Sequence, residues 1–154
     1  MNSVGKYLCL DWGQKRIGIA ISDDTKKFAF TRDAILNNAD TFNNILNIIQ
    51  NEKVIRIIIG YPLNFKSEET HSTRGVELFA KRLFNTLKKY KLEIPIIFFD
   101  ERLTSNLAKY NIINSDIKKS KRRKKELTDS AAAQIILSDY LKKLENFPQQ
   151  NVSN

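Results

Sequence analysis

The sequence predicts an α/β fold built on a five-stranded mixed sheet, three strands antiparallel and two parallel, flanked by helices. Two apolar segments near the start, Tyr7 to Leu10 and Arg16 to Ser22, are separated by only a tight link. Two later apolar runs, Val54 to Ile59 and Ile94 to Phe99, each follow a stretch with helical spacing. The apolar period therefore changes from strand-like to alternating strand and helix along the chain.

Tyr7 to Leu10 is continuous in its apolarity, as expected of a central strand buried on both faces, and the turn Asp11-Trp12-Gly13 is expected to stop it. In Arg16 to Ser22, Ile17, Ile19 and Ile21 share one parity while the small Gly18, Ala20 and Ser22 share the other. This is the period-two pattern of a second strand, and the short Gln14-Lys15 link predicts a hairpin. Phe28 to Ile35 follows the polar Asp23 to Lys27 turn as a third strand. Asp40 or Thr41 then caps a helix whose Phe42, Ile45, Leu46 and Ile49 keep helical spacing.

Val54 to Ile59 is nearly all β-branched and opens into Gly60-Tyr61-Pro62, which predicts a buried parallel strand. From Ser72 onward Val76, Phe79, Ala80, Leu83, Phe84 and Leu87 form one helical stripe that should pack on the sheet. Ile94 to Phe99 is a fifth strand ending at Asp100-Glu101-Arg102. A modest helix is expected around Ser105 to Ile113, and Thr128 is expected to open a last amphipathic helix reaching about Leu144. The basic run Lys118 to Lys125 reads as a break between these two helices, and Glu145 to Asn154 as a frayed tail. At 154 residues, one domain over residues 1–144 is expected.

The order β-β-β-α-β-α-β-α-α describes an antiparallel meander, then two strands joined by helical crossovers and so parallel to the first. This is the ribonuclease-H-like topology. Its parallel strands would bring Asp11, Gly60-Tyr61-Pro62 and Asp100-Glu101 to one sheet edge, where open α/β sheets bind ligands.

Composition bounds the partners. Twenty-six Lys and Arg against 17 Asp and Glu give a net charge of +9, which favours RNA, DNA or an acidic membrane surface. A wealth of Lys, Asn and Ile also follows from an AT-biased genome, so the position of the charges matters more than their sum. No apolar stretch approaches the ~20 residues that span a bilayer, and no secretory h-region precedes Asp11. The lone Cys9, inside an apolar run, allows no intrachain disulfide and suits a reducing cytosol, so a soluble cytoplasmic protein without membrane partners is expected. The single His71 falls in the polar loop before the second helix, with no second His or Cys to complete a zinc site.

Asp11 directly follows four residues expected inside the protein, where an unpaired carboxylate is expensive. Either it starts a turn or a cation compensates it. Asp100 and Glu101 also end a buried strand, and alternation lets only one of them share the side used by Asp11; the longer reach favours Glu101. Asp129 follows Thr128 and reads first as an acidic residue at a helix start. The small Ser130, Ala131, Ala132 and Ala133 after it would let that helix press against the carboxylate-bearing edge. Three carboxylates suit Mg²⁺ or Mn²⁺, hard cations that take oxygen ligands and phosphate oxygens. Lys15, Arg16, Lys66 and Arg74, with Arg102, are expected to line the same edge and meet phosphate. The cluster containing Lys121, Arg122 and Arg123 stands close before Asp129, and reads equally as a solvated linker.

Five segments, in this order and spacing, resemble the YqgF/RuvX family of Holliday-junction-resolvase-like proteins over nearly the whole chain. They are LDWGQKRIGIAISD (Leu10 to Asp23), IIIGYPLN (Ile57 to Asn64), ELFAKRL (Glu77 to Leu83), DERLTS (Asp100 to Ser105) and LTDSAAAQIILSDYL (Leu127 to Leu141). Members of that family are implicated as nucleases maturing the 5′ end of pre-16S ribosomal RNA. The resemblance implies a ribonuclease-H-like domain with acidic metal-binding positions at Asp11, Glu101 and Asp129, and so chooses Glu101 over Asp100. It implies structured RNA, branched DNA or ribosomal precursor particles as partners, and a monomer or weak homodimer. Phe65-Lys66-Ser67 stands where the family often has a glycine, and Thr31 where a proline is common, departures that touch loop geometry.

Two other classes make different predictions. A non-catalytic nucleic-acid-binding module would bind without metal-dependent cleavage, but gains nothing from acidic groups at its binding edge. A sugar-kinase or actin-like ATPase shares the core and the Asp-Trp-Gly turn, yet needs a longer chain to build its two-domain cleft.

Overall fold

Alternation along the strands decides which residues meet on each face of the sheet. The computed structural model describes residues 4–62, 71–100 and 122–146, and the side chains of all these except positions 71–72 and 122–129. Its elements are β1 (Lys6–Trp12), β2 (Arg16–Ser22), β3 (Ala29–Leu36), α1 (Thr41–Glu52), β4 (Val54–Tyr61), α2 (His71–Lys89), β5 (Ile96–Asp100) and α3 (Arg122–Asn146). The five strands form one sheet in the order β3-β2-β1-β4-β5. β1 pairs antiparallel with β2, and β2 with β3, whereas β1–β4 and β4–β5 are parallel. The meander followed by crossovers is the topology expected from the sequence.

One face carries Leu8, Leu10, Ile17, Ile19, Ile21, Ile57 and Ile59, covered by α1 through Ile45, Leu46 and Ile49 and by α2 through Val76, Phe79, Leu83 and Leu87. The other face carries Tyr7, Cys9, Ala20, Ala29, Ile58 and Phe99, covered by Ala133, Ile136, Leu137, Tyr140 and Leu141 of α3. Its strand side chains include alanines and a cysteine, so α3 settles close to the backbone of β1 to β3. Ringed contacts fill the far end: Tyr140 lies edge-on to Tyr7 and Phe99, and its hydroxyl accepts a hydrogen bond from Arg56 at 3.0 Å.

Several boundaries differ from the sequence expectation. β1 continues through Asp11 and Trp12, paired with Gly18 and Ile17, because hairpin pairing with β2 outweighs the break a charged residue suggests. β4 likewise runs on to Tyr61, and β5 spans Ile96–Asp100. His71, expected in a loop, is the first residue of α2. Phe84 is exposed: it lies about 80° around the helix from Val76, at the margin of the stripe rather than within it. Asp40 makes no side-chain cap on α1; Thr41 Oγ1 instead accepts the Asn38 N–H at 2.9 Å and donates to the Leu36 carbonyl at 3.1 Å. The largest correction concerns α3, which begins at Arg122 rather than Thr128, so Asp129 stands two turns inside the helix. The helix expected around Ser105 to Ile113 lies outside the described residues.

Asp23 builds the β2–β3 turn. Its Oδ1 accepts the N–H groups of Lys27 and Phe28, both at 2.9 Å, and its other oxygen takes the Thr25 hydroxyl. Partial burial pushes this carboxyl up, but the Thr25 hydroxyl and the two amides outweigh it and hold the pKa at about 2, against 3.8 ordinarily. The folded value lies below the unfolded one, so the turn's contribution is complete above about pH 4 and is lost as pH falls from there through about 2. Urea unfolding of Asp23→Ala should show a loss of roughly 1–2 kcal/mol at pH 7, narrowing towards zero near pH 2. An equal loss at both pH values would refute a charge-based role.

Candidate active site

Asp11 is placed by the parity of β1. Tyr7 and Cys9 are buried under α3, and Asp11, next on that parity, reaches the C-terminal end of the strand half-buried on the same face. Leu8, Leu10 and Trp12 face α1 and α2. The Trp12 ring lies against Gly75 of α2, where an added Cβ would stand 2.3 to 2.9 Å from three ring carbons. Close approach of helix and strand at this point depends on the missing side chain.

The β1–β2 hairpin turn is equally tight. A Cβ on Gly13 would meet the Arg16 carbonyl oxygen at 2.6 Å. Asn37, just past β3, donates from Nδ2 to the Gly13 carbonyl at 2.8 Å and from its backbone to the Lys15 carbonyl at 2.9 Å. Lys15, exposed, and Arg16, half-buried, are thus carried on a turn braced from both sides, at the same sheet end as Asp11.

The start of α2 is tied to the end of β4. The buried Thr73 donates to the Pro62 carbonyl at 3.2 Å, and the Tyr61 hydroxyl donates to the Glu77 carboxylate. Arg74, exposed and adjacent to Gly75, therefore sits on the Asp11 edge. On β5, Phe99 is buried against α3, while Phe98 meets Tyr61 edge-on at 5.1 Å on the opposite face. Alternation gives Asp100 the face of Phe98, which removes it from the side used by Asp11.

α3 reaches the site through small and polar residues. Ala132 and Ala133 are fully buried, as expected for a helix pressed against the sheet. Ser130 Oγ donates to the Arg32 carbonyl of β3 at 2.5 Å and accepts the Ile19 N–H of β2 at 3.4 Å. One turn later, Gln134 Nε2 donates to the Ala29 carbonyl at 2.9 Å. Asp129 is the helical residue before Ser130, and Ile19 follows Gly18, the β2 partner of Asp11. The backbone thereby brings α3 at position 129 to the neighbourhood of Asp11.

Arg122 and Arg123 open α3, but their side chains, like that of Asp129, are outside the description. Glu101, Arg102, Lys66 and Lys121 lie outside the described residues altogether. Among the described residues no group of three or more His, Cys, Asp or Glu could hold a metal ion. Of the expected triad only Asp11 has a described side chain, and its oxygen donors suit a hard cation. Cys9 is buried in the core, remote in chemistry from such a site.

Sequence reasoning missed Gly75, Asn37 and the two hydroxyl and amide clamps of α3. A glycine inside the helical pattern of α2 was the one available signal, since such a position often marks a close approach.

Comparison with known proteins agrees with this architecture. A family model described as RuvX, Holliday junction resolvase, matches residues 5–143. A relative from Sulfurihydrogenibium sp. (strain YO3AOP1) is 39% identical over 141 residues, covering 92% of each chain, and one from Maridesulfovibrio salexigens is 40% identical over 144 residues, covering 88% of this chain and 97% of its own. Both carry the name "Putative pre-16S rRNA nuclease". Among solved structures, Thermus thermophilus RuvC in complex with a Holliday junction substrate aligns with a TM-score of 0.53 at 12% identity, covering 90% of this chain and 96% of RuvC. The yeast mitochondrial Holliday junction resolvase Ydc2 aligns with a TM-score of 0.55 at 11% identity, covering 97% and 84%. These two likenesses concern the fold alone. With nearly its whole length matched by the family model and by relatives of similar size, the chain belongs to the RuvX family of nucleases.

Proposed function

We propose that this protein is a metal-dependent endonuclease that hydrolyses phosphodiester bonds in the maturation of the 5′ end of pre-16S ribosomal RNA, with Asp11, Glu101 and Asp129 holding Mg²⁺ or Mn²⁺. The observation that carries the reading is Asp11, a half-buried carboxylate at the C-terminal end of the middle strand, on the face covered by α3. The name borne by the curated relatives supports the substrate.

Asp100 lies on the face away from Asp11, which supports its neighbour in sequence, Glu101, as the second carboxylate. Asp129 stands next to Ser130 on the helix that covers that side. Half-burial of the Asp11 carboxylate is compatible with a cation sharing the site. When bound, the cation supplies Lewis acidity that favours ionisation of the attacking water and stabilises the leaving oxygen. Lys15, Arg16 and Arg74, with Arg102, Lys121, Arg122 and Arg123, would hold the phosphate backbone in register without reading sequence. The protein would act in the cytoplasm, alone or as a weak homodimer, on structured RNA within ribosomal precursors.

A second reading, resolution of branched DNA, is favoured by the description of the family model and by the fold shared with junction resolvases. Purified protein should be incubated with a precursor 16S RNA and with a four-way DNA junction, each with Mg²⁺ and with EDTA. Mg²⁺-dependent cleavage of the RNA is the expected result. Cleavage of the junction alone would transfer the assignment to DNA, and binding of either without cleavage would reduce the protein to a binding module.

A further inference from the structure

The register between β2 and β3 slips beside Asp11. Ile17 pairs with Ile35, but Ile19 pairs with Arg32, so two β3 residues, Asp33 and Ala34, stand opposite Gly18 alone. Such a bulge disrupts the local ladder and leaves backbone groups needing partners. At this place Ser130, only 2% exposed, brings a single hydroxyl that donates to the Arg32 carbonyl and accepts the Ile19 N–H. It thereby serves both members of one strand pair. Gln134, one helical turn on, takes the Ala29 carbonyl of the same strand. Two polar contacts along β3, one turn apart, fix both the height and the rotation of α3 on the sheet.

We propose that Ser130 is a positioning residue, whose hydroxyl in the β2–β3 ladder sets the neighbouring Asp129 against Asp11 for metal binding. The inference rests on the reading of Asp129 as a ligand. Its physical basis is the shortness of the connection: Asp129 precedes Ser130 by one helical residue, and Ile19 follows Gly18, the β2 partner of Asp11, by one strand residue. A metal ligand held by a buried hydrogen bond one residue away keeps its geometry without paying ordering entropy at each binding event. Packing alone offers a weaker constraint at this point, since the neighbouring residues Ala131, Ala132 and Ala133 are small and lock no rotamer.

The test uses the full chain with Ser130→Ala, and Asp129→Asn alongside, each measured well below its own melting temperature. Expected for Ser130→Ala are Mn²⁺ binding weakened roughly tenfold by calorimetry and a kcat lowered about 10- to 100-fold with unchanged KM, together with faster exchange of the Ile19 amide. A purely structural hydroxyl would lower the melting temperature and speed that exchange while leaving Mn²⁺ affinity and kcat within about twofold, and this result overturns the proposal. Should the alanine variant not fold, Ser130→Cys, close in shape with a weak thiol donor, carries the same comparison. Wild-type Mn²⁺ affinity in Asp129→Asn would show that the ligand reading itself had failed. Loss there with an unaltered Ser130→Ala would remove only the positioning role.

Discussion

Asp11→Asn should lose cleavage by roughly three powers of ten or more, an effect of about 4 kcal/mol on the barrier, while the fold survives. Asparagine matches aspartate in shape, and the residue's place in the sheet depends on backbone pairing with Gly18, which the change leaves alone. What it removes is a negative oxygen donor at the end of the middle strand. Affinity for a hard dication depends on charged oxygen ligands, so the loss should appear in binding before it appears in structure. Mn²⁺ should raise the melting temperature of the wild type by mass action on the folded state, and raise that of Asp11→Asn far less. Circular dichroism without metal should superimpose for the two proteins. Cleavage of precursor 16S RNA by Asp11→Asn at the wild-type rate would refute the proposed mechanism outright.

The strands were legible where residue chemistry matched their surroundings on both sides. Val54 to Ile59 is β-branched at every position but Arg56 because β4 is covered by α2 on one face and α3 on the other, and Ile17, Ile19 and Ile21 alternate with small residues because α3 needs room on its side. Asp11 was legible as a carboxylate at a buried edge, but not as a residue still within a strand, since that depends on pairing with a neighbour rather than on local preference. The basic run before Asp129 resembled a linker, although Arg122 to Glu126 are all good helix formers and the helix includes them. Reading the start at Thr128 made Asp129 look like a charge at a helix terminus. Two turns inside α3 that explanation lapses, because the field of a helix end fades within its first turn. Ser130 could not have been identified by pattern at all: its role exists only where β3 carries one residue more than β2.

Gly75→Ala adds a single methyl group and should nonetheless destabilise this protein. The new Cβ would fall 2.3 Å from Trp12 Cη2, 2.6 Å from Cζ3 and 2.9 Å from Cζ2, well inside van der Waals contact. Alanine raises helix propensity by roughly 1 kcal/mol over glycine, so an unobstructed site would be stabilised. Here the ring is a rigid plate and cannot give locally; it must swing away or α2 must lift from the sheet. Overpacking of this kind costs about 1–3 kcal/mol, and the expected net result is destabilisation despite the better propensity. Trp12 adjoins Asp11 in β1, so displacement of the ring also strains the strand end that presents the carboxylate, and cleavage should fall with stability. A double-mutant cycle separates these effects. In a Trp12→Leu background the plate is gone, and Gly75→Ala should there become neutral or stabilising, giving a coupling energy of about 1–3 kcal/mol. Equal penalties in both backgrounds would show that the glycine is needed for α2 itself and not for its approach to β1.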